Sequence, residues 1–135
     1  MITKITNENF LRIVNGNINK NLTFVIKFYT NSCPKCKELS PVFKDVAADY
    51  ETDQYLFCVY NSAAASQECR DRYKKIGVKG VPSLLMVETG TKPPRMLLLG
   101  EKKKPNPQSY YNIADLLRFV QNGPKMLAKR KTEIK

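Results

Sequence analysis

Histidine and tryptophan are both absent from this 135-residue chain. Without an imidazole there is no Ser–His or Cys–His nucleophile, no histidine general base and no histidine metal ligand, which removes a large share of hydrolase and metalloenzyme chemistry. Long apolar runs are missing too. Runs such as Leu84 to Val87 and Met96 to Leu99 fall far short of the roughly 20 residues that a bilayer span needs. The opening MITKITNENFLRIV never builds the apolar core of a secretory signal. The expectation is a soluble, cytoplasmic protein without membrane contact. In such a reducing setting cysteines serve catalysis, bind metal or lie buried, and seldom form a permanent disulfide framework.

Acidic residues are scarce: 12 Asp and Glu stand against 23 Lys and Arg, for a net charge of +11. Residues 101–135 hold nine basic and three acidic side chains, so the excess is concentrated near the C-terminus, in Lys102, Lys103 and Lys104 and in the segment from Lys125 onward. A solubilising surface is the plain reading, and attraction to an acidic protein, nucleic acid or membrane surface the sharper one. The remaining composition, 42% hydrophobic with eight prolines and six glycines, suits a single globular domain with one core. We expect a monomer with a domain over residues 1–123 and a basic tail over 124–135.

Hydrophobic periodicity predicts an α/β fold. Ile2 to Ile5 reads as a first strand, and Thr6 as the cap of a helix with Phe10, Ile13 and Val14 on one face. The run Leu22 to Tyr29 is continuous in hydrophobicity, as in a central strand covered on both faces, with Lys27 as its single charge. A helix containing Pro41 follows, then a strand from Tyr55 to Tyr60 and a helix from about Ala64 to Ile76. Ser83 to Glu88 and Arg95 to Leu99 read as a hairpin. The last helix, from about Asn112 to Gln121, is expected to stop at Gly123–Pro124.

Between the central strand and its helix stands TNSCPKC. A Cys-x-x-Cys at a helix start puts the first sulfur, Cys33, where free backbone N–H groups and the helix dipole favour an anion, which lowers the thiol pKa. Cys33 is then the nucleophile in disulfide exchange, and Cys36, one turn on, resolves the mixed disulfide. Lys35 and Lys37 add positive charge, and Pro34 sits where an N–H has no intrahelical acceptor anyway. A zinc site needs two further close-set ligands. The remaining cysteines, Cys58 and Cys69, are far apart inside regular elements, so no metal is expected.

The segment VIKFYTNSCPKCKELSPVF resembles the active-site region of thioredoxins and protein disulfide isomerase domains, with Pro41 at the place of their kinking proline. KKIGVKGVPSLLMV is similar to the segment in which an X-Pro bond, here Val81–Pro82, is cis and faces the cysteines. Gly100 matches the glycine that ends the last strand beside the site. The similarity covers about residues 2–122 in element order. It implies a thioredoxin fold, a central mixed β-sheet flanked by helices on both faces. It also implies a thiol–disulfide oxidoreductase that needs no bound cofactor, acts on protein disulfides or dithiols and is recycled by a reductase or oxidase. On that resemblance the Val81 backbone pairs with substrate, Pro82 shields the sulfurs, and Ser32, Pro34 and Gly100 border the groove.

Three features depart from the family pattern. Ser32 stands where a tryptophan is common. The Pro-Lys dipeptide is more similar to that of the oxidant DsbA, which leaves open whether the protein reduces, forms or isomerises disulfides. Lys27 occupies the place of the family's buried acid. There it would tune Cys36, as an ammonium beside the thiolate or as a neutral amine taking its proton, or else extend its amine to water. The resemblance also sets Cys58 close to Lys27, while Cys69 lies on an apolar helical face; both are read as core residues, with a regulatory thiol at Cys58 and an accessory Cys58–Cys69 disulfide as the other readings. Two other readings are a non-catalytic module docking acidic partners or nucleic acid, and a glutaredoxin-type enzyme, which the GVP sequence disfavours.

Overall fold

The computed structural model describes residues 2–99 and 113–133. Its central strand is β2, Thr23–Tyr29, which lies parallel to β3, Tyr55–Asn61, and antiparallel to β4, Ser83–Glu88. A two-residue β1, Thr3–Lys4, lies outside β3, and β5, Arg95–Leu98, closes the other side, so the spatial order is β1-β3-β2-β4-β5. The sheet is mixed, as the alternation of strands and helices followed by a hairpin predicts.

Side chains alternate across a strand, so the sheet has two apolar faces. One buries Phe24, Ile26 and Phe28 of β2 with Cys58 and Tyr60 of β3 against helices α1, Asn7–Val14, and α3, Gln67–Ile76. The other buries Val25, Phe57, Leu84 and Met86 against α2, Pro34–Tyr50, and α4, Ile113–Glu133. Coverage on both faces explains why β2 and β4 read as near-continuous hydrophobic runs.

Local capping sets most boundaries. Thr6 Oγ1 accepts the Asn9 N–H at 3.1 Å to start α1. Ser66 Oγ accepts that of Cys69 at 3.2 Å, so α3 starts at Gln67, later than expected, after a 3-10 turn at Ser62–Ala64. Gly77 ends α3 in the left-handed region with φ +119°, where a glycine avoids the Cβ clash of other residues.

The end of α4 corrects the sequence expectation. The helix passes through Gly123–Pro124 and runs to Glu133. Proline within a helix deprives the carbonyl four residues earlier of its donor. Here that carbonyl is Val120 O, and the Tyr55 hydroxyl donates to it at 2.7 Å. Gly123 lies against Met86, where an added Cβ would sit 2.7 Å from Sδ. Three residues past the proline, Leu127 is fully buried in the core cluster. The segment expected as a tail from residue 124 thus contributes to the packed core.

Candidate redox site

Sheet register gathers the site at one end of β2. That strand finishes at Tyr29, and the chain then passes through Thr30, Asn31 and the exposed Ser32 into α2. Phe28 pairs with Ser83, the first residue of β4, so Val81–Pro82 reaches the sheet at the same end. The Val81–Pro82 peptide is cis, with Val81 half-buried and Pro82 buried. A second cis bond, Lys92–Pro93, was not anticipated and lies in the β4–β5 turn. Ser83 Oγ donates to Gly80 O at 2.6 Å, pinning the loop just before the strand.

Cys33 is the N-cap of α2, and its Sγ accepts the Cys36 N–H at 3.1 Å. This is the helix-start position whose unsatisfied N–H groups favour a sulfur anion. Pro34 takes the first helical position. Cys33 and Cys36 form a disulfide with their Cα atoms 5.2 Å apart. Cys33 is half-buried, and Cys36 is only 3% exposed, so an incoming molecule meets Cys33 first. Lys35 pairs with Glu38 at 3.3 Å, which offsets part of its charge one turn into the helix.

Lys27, on the α2 face of β2, is 4% exposed. Its Nζ donates to Ser40 Oγ at 3.1 Å and lies 5.4 Å from the centre of the Phe43 ring and 5.9 Å from that of Tyr29. Those ring faces give the cation partial compensation. Burial still lowers its pKa from the ordinary lysine value, because desolvation penalises the charged form. Lys27 and Cys36 line one pocket, together with Ser40. The sequence reading named the lysine and the cysteine but missed Ser40. The available signal was its helical spacing, four residues beyond Cys36.

Cys58 pairs in register with Ile26, and Val59 with Lys27. The one-residue offset turns Cys58 to the α1/α3 face, away from Lys27, which corrects the proximity suggested by the resemblance. Burial pushes the Cys58 thiol up to about 12. Cys69 is buried in the same cluster, and its Sγ donates to Asn7 O at 3.5 Å. Both are free thiols. Gly100 and Lys102 to Lys104 lie outside the described residues. Among the described residues no helix is long and apolar enough to cross a membrane.

Comparison with known proteins matches residues 1–106 to the family model described as Thioredoxin. Human protein disulfide-isomerase A4 is 26% identical over 110 residues, 82% of this chain but 15% of that protein. Thioredoxin from Borreliella burgdorferi is 32% identical over 69 residues, 51% of this chain and 55% of the relative. The chain thus spans only about a seventh of the length of the disulfide-isomerase A4 relative. Among solved structures, the Trx4 domain of ERdj5 superposes with a TM-score of 0.66 at 16% identity, covering 93% of this chain and 96% of that one. Thioredoxin from Malassezia sympodialis gives 0.63 at 15% identity, with 90% of each chain covered.

Proposed function

The chain belongs to the thioredoxin family, and from that membership we propose that it is a thiol–disulfide oxidoreductase acting on protein disulfides and dithiols, with Cys33 attacking and Cys36 resolving. The observation that carries this reading is the Cys33 sulfur at the N-cap of α2, accepting a backbone N–H and bonded to Cys36. In the reducing direction, the Cys33 thiolate attacks one sulfur of a substrate disulfide and the other substrate sulfur leaves as a thiolate. Cys36, deprotonated, then attacks Cys33 Sγ. The second substrate sulfur departs as a thiolate and the Cys33–Cys36 disulfide forms. A partner reductase returns two electrons and two protons; run backwards with an oxidase, the same steps form disulfides.

Lys27 acts on the second step. As an ammonium it stabilises the Cys36 thiolate, and as a neutral amine it takes the Cys36 proton; lining one pocket with that cysteine supports either role. Substrate backbone pairs with Val81, while Pro82 shields the sulfurs and Ser32 and Pro34 edge the groove. Lys35 adds positive potential at the helix start. The protein works in the cytoplasm as a monomer without a bound metal or cofactor.

Reduction of insulin by dithiothreitol tests the reading. Wild-type protein is expected to accelerate it, and Cys33→Ser to fall to the uncatalysed background. Cys36→Ser is expected to accumulate mixed disulfides that run as adducts on non-reducing gels. Wild-type activity in Cys33→Ser would overturn the mechanism.

A further inference from the structure

Beside Cys36, away from the Val81–Pro82 loop, opens a pocket of about 540 Å³. Lys27 forms part of its wall, and Lys37, Ser40 and Lys44 of α2 line it as well. Those three helical residues fall at i, i+3 and i+7, on one face of α2. No Asp or Glu is among the described residues that line it. Lys37 and Lys44 are exposed and make no ion pair among the described residues. Lys27 is nearly all buried, with one hydroxyl and two ring faces as its surroundings. A buried lysine that faces no carboxylate among the described residues is costly to hold as an ammonium, and proteins ordinarily pair such charges. The missing counter-charge points outward, to something that enters.

We propose that this pocket is a carboxylate subsite, which selects disulfide substrates carrying an acidic residue next to the reacting cysteine. The proposal rests on the redox reading above. A substrate joined to Cys33 has its sulfur one S–S bond from Cys33 Sγ, and Cys36, which bonds that same sulfur in the oxidised protein, is in the pocket wall, so a long acidic side chain flanking the substrate cysteine extends past Cys33 toward the pocket. Its carboxylate meets the Lys27 ammonium, the Ser40 hydroxyl beside it and the exposed Lys37 and Lys44 charges. Charge-assisted hydrogen bonds of this kind are the strong class. Burial of Lys27 amplifies the one, while salt weakens the others.

The test uses two disulfide-linked peptides that differ only in carrying Glu or Gln on both sides of the cysteine. The expected result is a kcat/KM for reduction about tenfold higher for the Glu peptide, equivalent to about 1.4 kcal/mol. In Lys37→Gln/Lys44→Gln the Glu-to-Gln ratio is expected to fall toward one. In Lys4→Gln/Lys20→Gln, which removes the same charge from exposed sites elsewhere, the ratio is expected to persist. Equal rates for the two peptides in wild type, or equal losses in the two double variants, would overturn the subsite. The same peptides with S-methylated cysteines are titrated calorimetrically onto the oxidised protein. Tighter binding of the Glu form without reduction of either disulfide peptide would keep the pocket and sink the redox reading. No preference in binding sinks the pocket whatever the kinetics show.

Discussion

Lys27 in the central strand and Cys58 in the strand beside it carry opposite pH signatures. Burial lowers the Lys27 pKa in the native state, while the unfolded chain holds that proton up to about 10.4. Between the lowered value and that pH the unfolded state binds more protons, so stability rises with pH; below the lowered value the penalty is present in full. Lys27→Met is expected to unfold at higher urea at pH 7, by about 1 kcal/mol, and to lose that rise when urea midpoints are followed from pH 7 up to about 10.4. Cys58 works the other way. Its thiol stays protonated to about 12 when folded against an ordinary 9.0, so above pH 9 the unfolded chain releases a proton that the native state keeps, and stability falls. In the reduced native protein, a short iodoacetamide pulse read by mass spectrometry is expected to label Cys33 and leave Cys58 and Cys69 unmodified. The placement of Cys33 and Pro34 at a helix start and the closeness of Cys36 were legible because adjacent residues carry them, and the cis Val81–Pro82 bond was expected from the resemblance alone. Helical spacing marks Ser40 as one turn beyond Cys36, but its contact with Lys27 and the face that Cys58 takes follow from how α2 lies on β2 and how β3 registers with it.

At the scale of elements, strands and helices were legible wherever periodicity was long, and the ends were legible where a side chain caps them, as at Thr6 and Gly77. Gly123–Pro124 is a strong local stop signal that tertiary contacts override. Tyr55, 65 positions earlier, supplies the donor that Pro124 removes from Val120 O, and the Gly123 gap admits Met86. Tyr55→Phe is therefore expected to cost about 1–3 kcal/mol in urea unfolding, the penalty of a buried acceptor left without a donor. Leu127→Ala is expected to cost about 2–5 kcal/mol, as for other fully buried leucines. A null effect of Leu127→Ala would mean that the helix beyond Pro124 adds nothing to the core.

Across the whole molecule, the two-faced sheet was foreseen from the apolar runs, whereas the way its borders are finished was not. Strand β1 has only two residues. On the opposite border, Arg130 from the last stretch of α4 donates through Nη1 to the carbonyl of Met96 in β5. A strand at the border of a sheet, with its peptide groups open, is a template on which another molecule can add its own strand. With a guanidinium on that carbonyl, β5 offers a broken template. Arg130→Ala is expected to raise light scattering on gentle heating at high protein concentration, and Lys125→Ala, which removes an exposed charge from the same helix, to scatter as wild type does. The residues past Pro124 would then serve solubility through geometry as well as charge, as a guard against runaway chain-to-chain polymerisation.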